Sequence, residues 1–178
     1  MKRKSHMSVG EIYFWTATIH DWNRLLSNNA FKDVIIHSLQ TLSERSLVNV
    51  FAFVIMPTHI HIIWRINGTN GKETPHASLL KFTAHEFKKM LQARPSSLVK
   101  YQVVARNKQF EFWQRDSLAI FLYNRQVMLQ KLNYLHLNPI KNHWHLVNDP
   151  SDYTYSSASF YEKNEQRFGF LENIFGEF

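Results

Sequence analysis

An α+β fold with a split β-α-β antiparallel sheet is what the hydrophobic patterning predicts, on three observations. Strand-like apolar runs and helix-like three- and four-residue spacings alternate along the chain. Two of the strand-like runs, 47–56 and 58–66, meet at Pro57–Thr58 as a hairpin would. A last long helical pattern, opened by Asn124, is stopped by Pro139.

Each element follows from its residues. Residues 11–20 are rich in β-branched and aromatic types and read as a first strand. Asn28 and Asn29 then offer caps, and Phe31, Val34, Ile35, Leu39 and Leu42 step as an amphipathic helix ending near Ser46. Leu47 to Met56 is nearly all apolar, as a buried strand is, and Thr58 to Ile66 is its hairpin partner. After a polar loop, Thr74 caps and Pro75 occupies the first position of a helix whose predicted core stripe is Ala77, Leu80, Ala84, Phe87 and Leu91. Residues 98–111 carry no clear period. Leu118–Tyr123 is the fourth strand, Asn124 to Asn138 a helix, and Ser156–Glu162 a short one. The order strand, helix, strand, strand, helix, strand, helix is that of ferredoxin-like and RRM-like folds.

The 178 residues fit one domain, 1–178, with a core at about 8–162 and a C-terminal tail at 163–178. The absence of cysteine excludes disulfides, thiolate metal sites and a cysteine nucleophile, and fits a reducing compartment. No apolar run approaches the ~20 residues of a membrane span, and the basic Met1–Lys4 start precedes no signal-peptide core. The formal charge of +7 favours a polyanion partner.

Residues i and i+2 of a strand point the same way, so His59 and His61 project together and Ile60, Ile62 and Trp64 project oppositely. Two imidazoles side by side on a rigid strand can share a divalent cation; two hydrogen-bonded histidines in a sheet are the plainer alternative. His143-Trp144-His145 repeats the triplet without strand alternation and is assigned a surface or capping role. In the helix after Asn124, Met128, Leu132 and Leu135 form the apolar stripe, while Lys131, Tyr134 and Asn138 share another face. Taken alone, that pattern reads better as a tyrosine at a helix edge. On helix 74–93, Lys81, His85, Lys88, Lys89 and Gln92 share a face that is either solvated or in contact with phosphates beside the site. Arg115 and Lys131 are further phosphate candidates. Aromatics able to stack on unpaired bases are too many for pattern alone to single out.

Three ordered motifs carry a resemblance. Pro57-Thr58-His59-Ile60-His61 resembles the P-x-H-U-H strand of HUH endonucleases, U being a bulky hydrophobe. Phe112-Trp113-Gln114-Arg115, followed by Lys131-Leu132-Asn133-Tyr134-Leu135-His136-Leu137-Asn138-Pro139-Ile140-Lys141, resembles the W-Q-R … R-Y-I-H-L-N-P-V-R signature of REP-associated tyrosine transposases, a branch of the single-tyrosine HUH transposases. Asp149-Pro150-Ser151-Asp152-Tyr153-Thr154-Tyr155-Ser156-Ser157 resembles that family's D-P-x-D-Y-x-W-S-S segment.

The resemblance implies that Tyr134 is a nucleophile on a C-terminal catalytic helix. It implies that His59 and His61 bind Mg²⁺ or Mn²⁺ with Asn138 as a third, amide ligand. The implied activity is cleavage and rejoining of single-stranded DNA through a 5′-phosphotyrosine, at hairpin-forming element ends or REP-like repeats. A monomer or homodimer in the bacterial cytoplasm, at the nucleoid, is implied with it. Three departures bear on which DNA is recognised: Asn133 replaces a basic residue, Tyr155 replaces Trp, and a polar loop, 67–74, follows the histidine strand. The competing readings are a replication initiator or relaxase with the same chemistry, a non-catalytic RRM-like nucleic-acid binder with stacking aromatics on its central strands, and a metal-dependent hydrolase. The last ranks lowest, since no carboxylate lies in the histidine segment.

Overall fold

In the computed structural model, which describes residues 6–178, the elements run β1 (Ile12–Thr18), α1 (Asn29–Glu44), β2 (Val48–Ile55), β3 (His59–Ile66), α2 (Pro75–Gln92), a short α3 (Pro95–Leu98), the hairpin β4 (Gln102–Ala105) and β5 (Lys108–Phe110), β6 (Leu118–Phe121), α4 (Arg125–His136) and α5 (Ala158–Glu162). The Met1–Lys4 start lies outside the described residues. The predicted caps form. Asn28 Oδ1 accepts from the Ala30 amide (3.0 Å), Thr74 Oγ1 from Ala77 (3.4 Å), and Asn124 Oδ1 from Val127 (2.8 Å), each satisfying a donor the first helical turn leaves orphaned.

The main sheet is antiparallel in the order β2-β3-β1-β6. This is the ferredoxin-like order expected of the split β-α-β pattern. Strand alternation divides its faces. Tyr13, Trp15, Ala17, Ile60, Ile62 and Trp64 point toward α1 and α2, joining Ile35, Leu39, Leu79, Phe87 and Leu91 in one core. Phe14 and Ile63 point the other way, under Met128, Leu132 and Leu135 of α4. A bulge between Val50 and Ala52 flips the parity of β2, so Val50 and Phe53 share one face while Phe51 and Ala52 share the other. That is how an unbroken apolar run serves both cores.

Three expectations are corrected here. Ala77 is exposed, and the core row of α2 is instead Pro75, Leu79, Thr83, Phe87 and Leu91, with Leu80 and Ala84 on its flank. A polar Thr83 is tolerated there because its hydroxyl donates to the Leu79 carbonyl (2.8 Å) and accepts from Trp113 Nε1 (2.9 Å). Secondly, the segment expected as a tail packs inward: Phe170, Leu171 and Ile174 are buried, and Leu171 bridges to Val50. Thirdly, α4 ends at His136, and Asn138 opens a separate 3-10 turn, Asn138–Ile140. Thr83→Val, nearly isosteric, leaves the buried Trp113 N–H without its acceptor. It is expected to lower stability by about 1–3 kcal/mol in urea unfolding; an unchanged midpoint would show that the bond contributes nothing.

Candidate active site

His59 and His61 lie on the α4 side of β3, opposite Thr18 and Thr16 of β1. The face is not the open sheet surface that an RRM-like binder would present. α4 covers it and leaves the imidazoles 8% and 5% exposed. Their rings are 4.7 Å apart. Each Nδ1 meets a hydroxyl, Thr58 Oγ1 at 3.0 Å from His59 and Thr16 Oγ1 at 2.7 Å from His61. With Nδ1–H donating to the hydroxyl, the Nε2 lone pair is left for another partner. His61 Nε2 is buried and has no hydrogen-bond partner, an arrangement that calls for explanation in a folded protein.

Electrostatics holds both rings neutral. Burial, reinforced by Lys141 and His143, lowers His59 to about 4. Burial, followed by His59, Lys141 and Lys131, lowers His61 to about 2. Neutral imidazoles are the form that binds a metal ion without displacing a proton. Among the described residues no group of three His, Cys, Asp or Glu stands ready to hold one, so a third protein ligand has to be of another type. Asn138 is buried in the same cleft, and its Nδ2 donates to the Tyr134 carbonyl (3.5 Å), leaving Oδ1 as the available acceptor. Two imidazole nitrogens and an amide oxygen suit a divalent cation that keeps open positions for substrate.

α4 brings Tyr134 to this pair. Its ring centroid is 5.4 Å from that of His61 and 5.9 Å from that of Phe14, and the side chain is 43% exposed. Lys141 Nζ stands 3.6 Å from the centre of the Tyr134 ring and Lys131 Nζ 5.8 Å. The cleft that joins them has a volume of about 500 Å³. Helical periodicity thus places Lys131 beside Tyr134, the 3-10 turn after α4 brings Asn138 to them, and strand periodicity places His59 beside His61. Neighbouring His136 turns away, with Nε2 2.8 Å from Ser157 Oγ.

Several cleft residues escape the sequence reading. His143 and Trp144, assigned to the surface, line the cleft, with Trp144 6.0 Å from His59 ring to ring. Lys141 and Trp22 line it too. No period marks these four, because they sit on irregular backbone. Thr16 and Thr18 are not singled out either, although their alternation with Trp15 and Ala17 is a signal that could have placed them on the polar face of β1.

The basic face of α2 is elsewhere. α1 and α2 pack on the sheet face opposite the histidines, so this surface is not beside the cleft as expected. Lys81, His85 and Lys88 instead converge with Arg106, Lys108 and Gln109 of the β4–β5 hairpin on an open groove of about 700 Å³. Lys89 lies outside that lining and pairs with Glu86 (2.7 Å). Lys81 reaches Glu73 (2.5 Å), Lys108 pairs with Glu111, and Arg115 Nε lies 3.3 Å from the same carboxylate. The exposed Lys81–Glu73 and Lys89–Glu86 pairs contribute little, whereas the Glu111 carboxylate is buried and is compensated by Lys108 and Arg115. Residues 112–118, with Arg115 among them, connect the groove to the cleft, since Phe112 lines one and Leu118 the other.

No protein-family model and no curated protein matches the sequence. Among solved structures, the chain is similar to a REP-associated tyrosine transposase bound to a REP hairpin, with a TM-score of 0.62 and 17% identity, over 89% of this chain and 82% of that one. A Deinococcus radiodurans chain described as a transposase aligns at a TM-score of 0.43 and 14% identity, over 75% of this chain and 95% of that one. At such identity the first likeness establishes a shared fold, and the second is too distant to carry an argument.

Proposed function

We propose that this chain is a single-tyrosine HUH nuclease of the transposase type, which cuts and rejoins single-stranded DNA through a covalent 5′-phosphotyrosine. The observation that carries this reading is the exposed Tyr134 ring set against His61, whose buried Nε2 lacks a partner. The family motifs and the fold shared with a REP-associated tyrosine transposase support it.

In the proposed step, Tyr134 Oη bonds to phosphorus as the bond from phosphorus to the 3′ oxygen breaks. A proton is lost from the phenol and one is gained by the departing oxygen, giving a 5′-phosphotyrosine and a free 3′-OH. An incoming 3′-OH reverses the step and joins a new strand without ATP, because the phosphodiester energy is held in the intermediate. The Lys141 and Lys131 ammoniums put positive charge where anionic charge develops. Mg²⁺ or Mn²⁺ held by His59, His61 and the Asn138 amide would supply charge neutralisation at a non-bridging phosphate oxygen. An RRM-like binder would carry exposed stacking aromatics on β1 and β3; here the cleft-facing positions are Phe14, Thr16, Thr18, His59 and His61, and Phe14 is buried against His61 and Tyr134.

The test is incubation with hairpin-forming single-stranded oligonucleotides and Mg²⁺ or Mn²⁺, scored on a denaturing gel. The expected product is a protein–DNA adduct with release of a 3′-OH strand. No adduct with any such substrate sinks the reading.

The basic groove serves, in the same reading, as the seat for phosphates of a hairpin stem, with the unpaired strand led past Arg115 to the cleft. Replacing Lys81, Lys88, Arg106 and Lys108 with Ala is expected to weaken hairpin binding. Each lost contact should reduce the dependence of log K on log salt by about 0.7–0.9. A variant with the parent's salt slope would return the groove to plain solvation.

A further inference from the structure

Two tryptophans line the cleft, each beside the same histidine. Trp22 lies 6.1 Å from His59 ring to ring and Trp144 lies 6.0 Å, so the indoles are no more than about 12 Å apart. Trp22 is 60% exposed, an unusual place for the largest apolar side chain. Its backbone is strained as well. Asp21 and Trp22 are consecutive non-glycine residues at φ of 52° and 54°, a region that side-chain-bearing residues rarely enter.

The fold holds that turn firmly. The Ile19 amide donates to the Thr58 carbonyl (2.8 Å) and the His20 amide to the Phe112 carbonyl (2.8 Å) before it, and the Asn23 amide closes it on the His20 carbonyl (3.1 Å). Strain that the surroundings over-determine at the edge of a site points to function. What it achieves here is to present an indole outward instead of burying it. The Arg24 guanidinium sits 5.6 Å from the Trp144 ring, steadying that indole and adding a positive charge.

We infer that Trp22 and Trp144 form a stacking slot for an unpaired nucleobase, adjoining the phosphate that is attacked. The inference rests on the nuclease reading for the identity of that phosphate, but not for the stacking itself. Base stacking on aromatics is tolerant of sequence and excludes paired bases, whose faces are already covered. The slot therefore selects single-stranded over duplex DNA at the cleft, while the groove on the other side of the sheet contacts phosphates alone. Its position beside His59 seats the base next to the backbone that must reach Tyr134.

The experiment compares a short dT homopolymer with an abasic phosphodiester of the same length, in EDTA so that no strand is cut. Trp15, Trp64 and Trp113 are buried, so quenching of indole fluorescence by dT reports on Trp22 and Trp144. Trp22→Ala is expected to weaken dT binding roughly tenfold, to cut the quenching, and to leave abasic binding unchanged. Trp22→Phe should retain most of the affinity, and Trp144→Phe should lose part of the quenching. Equal loss on both polymers, or none on either, overturns the slot. The adduct assay with wild-type protein separates the two readings. An adduct without a base-dependent Trp22 effect removes only the slot; a base-dependent effect without any adduct keeps the slot and removes the nuclease.

Discussion

Tyr134→Phe is expected to abolish strand cleavage and covalent attachment together, to the background of the assay. The change keeps the ring, and with it the packing against Phe14 and His61 and the ammonium of Lys141 over its face. Only the oxygen that would bond to phosphorus is removed. No described residue hydrogen-bonds to that hydroxyl, so stability should shift by less than about 1 kcal/mol, and DNA binding in EDTA should be unaltered. Tyr153→Phe is the informative control. Its buried hydroxyl donates to the Ile55 carbonyl (2.8 Å), so this variant should lose about 1 kcal/mol of stability and keep its activity. Tyr123→Phe should keep both. An adduct formed by the Tyr134→Phe protein would refute the assignment and make the exposed Tyr123 the next candidate.

The second large effect concerns the histidine pair. Replacing both His59 and His61 with Ala is expected to reduce cleavage to background while hairpin binding in EDTA stays within about twofold. Both imidazoles are held neutral by burial, so their removal takes no positive charge from the surface that attracts DNA, and binding driven by phosphate contacts persists. Thr16 and Thr58 lose their ring partners, and a small cavity opens. A stability cost of about 1–3 kcal/mol follows, and urea unfolding of the variant separates it from the loss of activity. EDTA on the wild-type protein should reproduce the loss, with Mg²⁺ or Mn²⁺ restoring cleavage to the wild type and not to the double variant. Cleavage that survives EDTA would refute a metal role and leave the two imidazoles to be explained by proton transfer or structure.

The pattern of the chain by itself determined β1, α1, β2, β3, α2, β6 and α4, whose periods are clear, but not α3 or the β4–β5 hairpin, which lie where no period shows. Period-two alternation put His59 and His61 on one face of β3, with Ile60, Ile62 and Trp64 on the other. The helical period aligned Lys131 with Tyr134, while Asn138 reaches the cleft from the 3-10 turn that follows α4. Asn28, Thr74 and Asn124 announced their helices because a cap satisfies donors within three residues of itself. The antiparallel α+β fold follows from the order of these pieces.

What only the tertiary structure decided lies where no period exists or where a distant partner overrides it. Thr83 takes a core position because Trp113, 30 residues on, supplies its hydrogen bond. The α2 basic face belongs to the sheet side away from the cleft, because packing of α2 against α1 and the sheet, not helix periodicity, selects the side. Trp22, Lys141, His143 and Trp144 reach the cleft from irregular backbone. The turn that carries Trp22 is anchored by bonds from Ile19 to Thr58 and from His20 to Phe112. Such side chains are aimed by contacts between residues far apart in the chain, and local sequence holds no record of that direction.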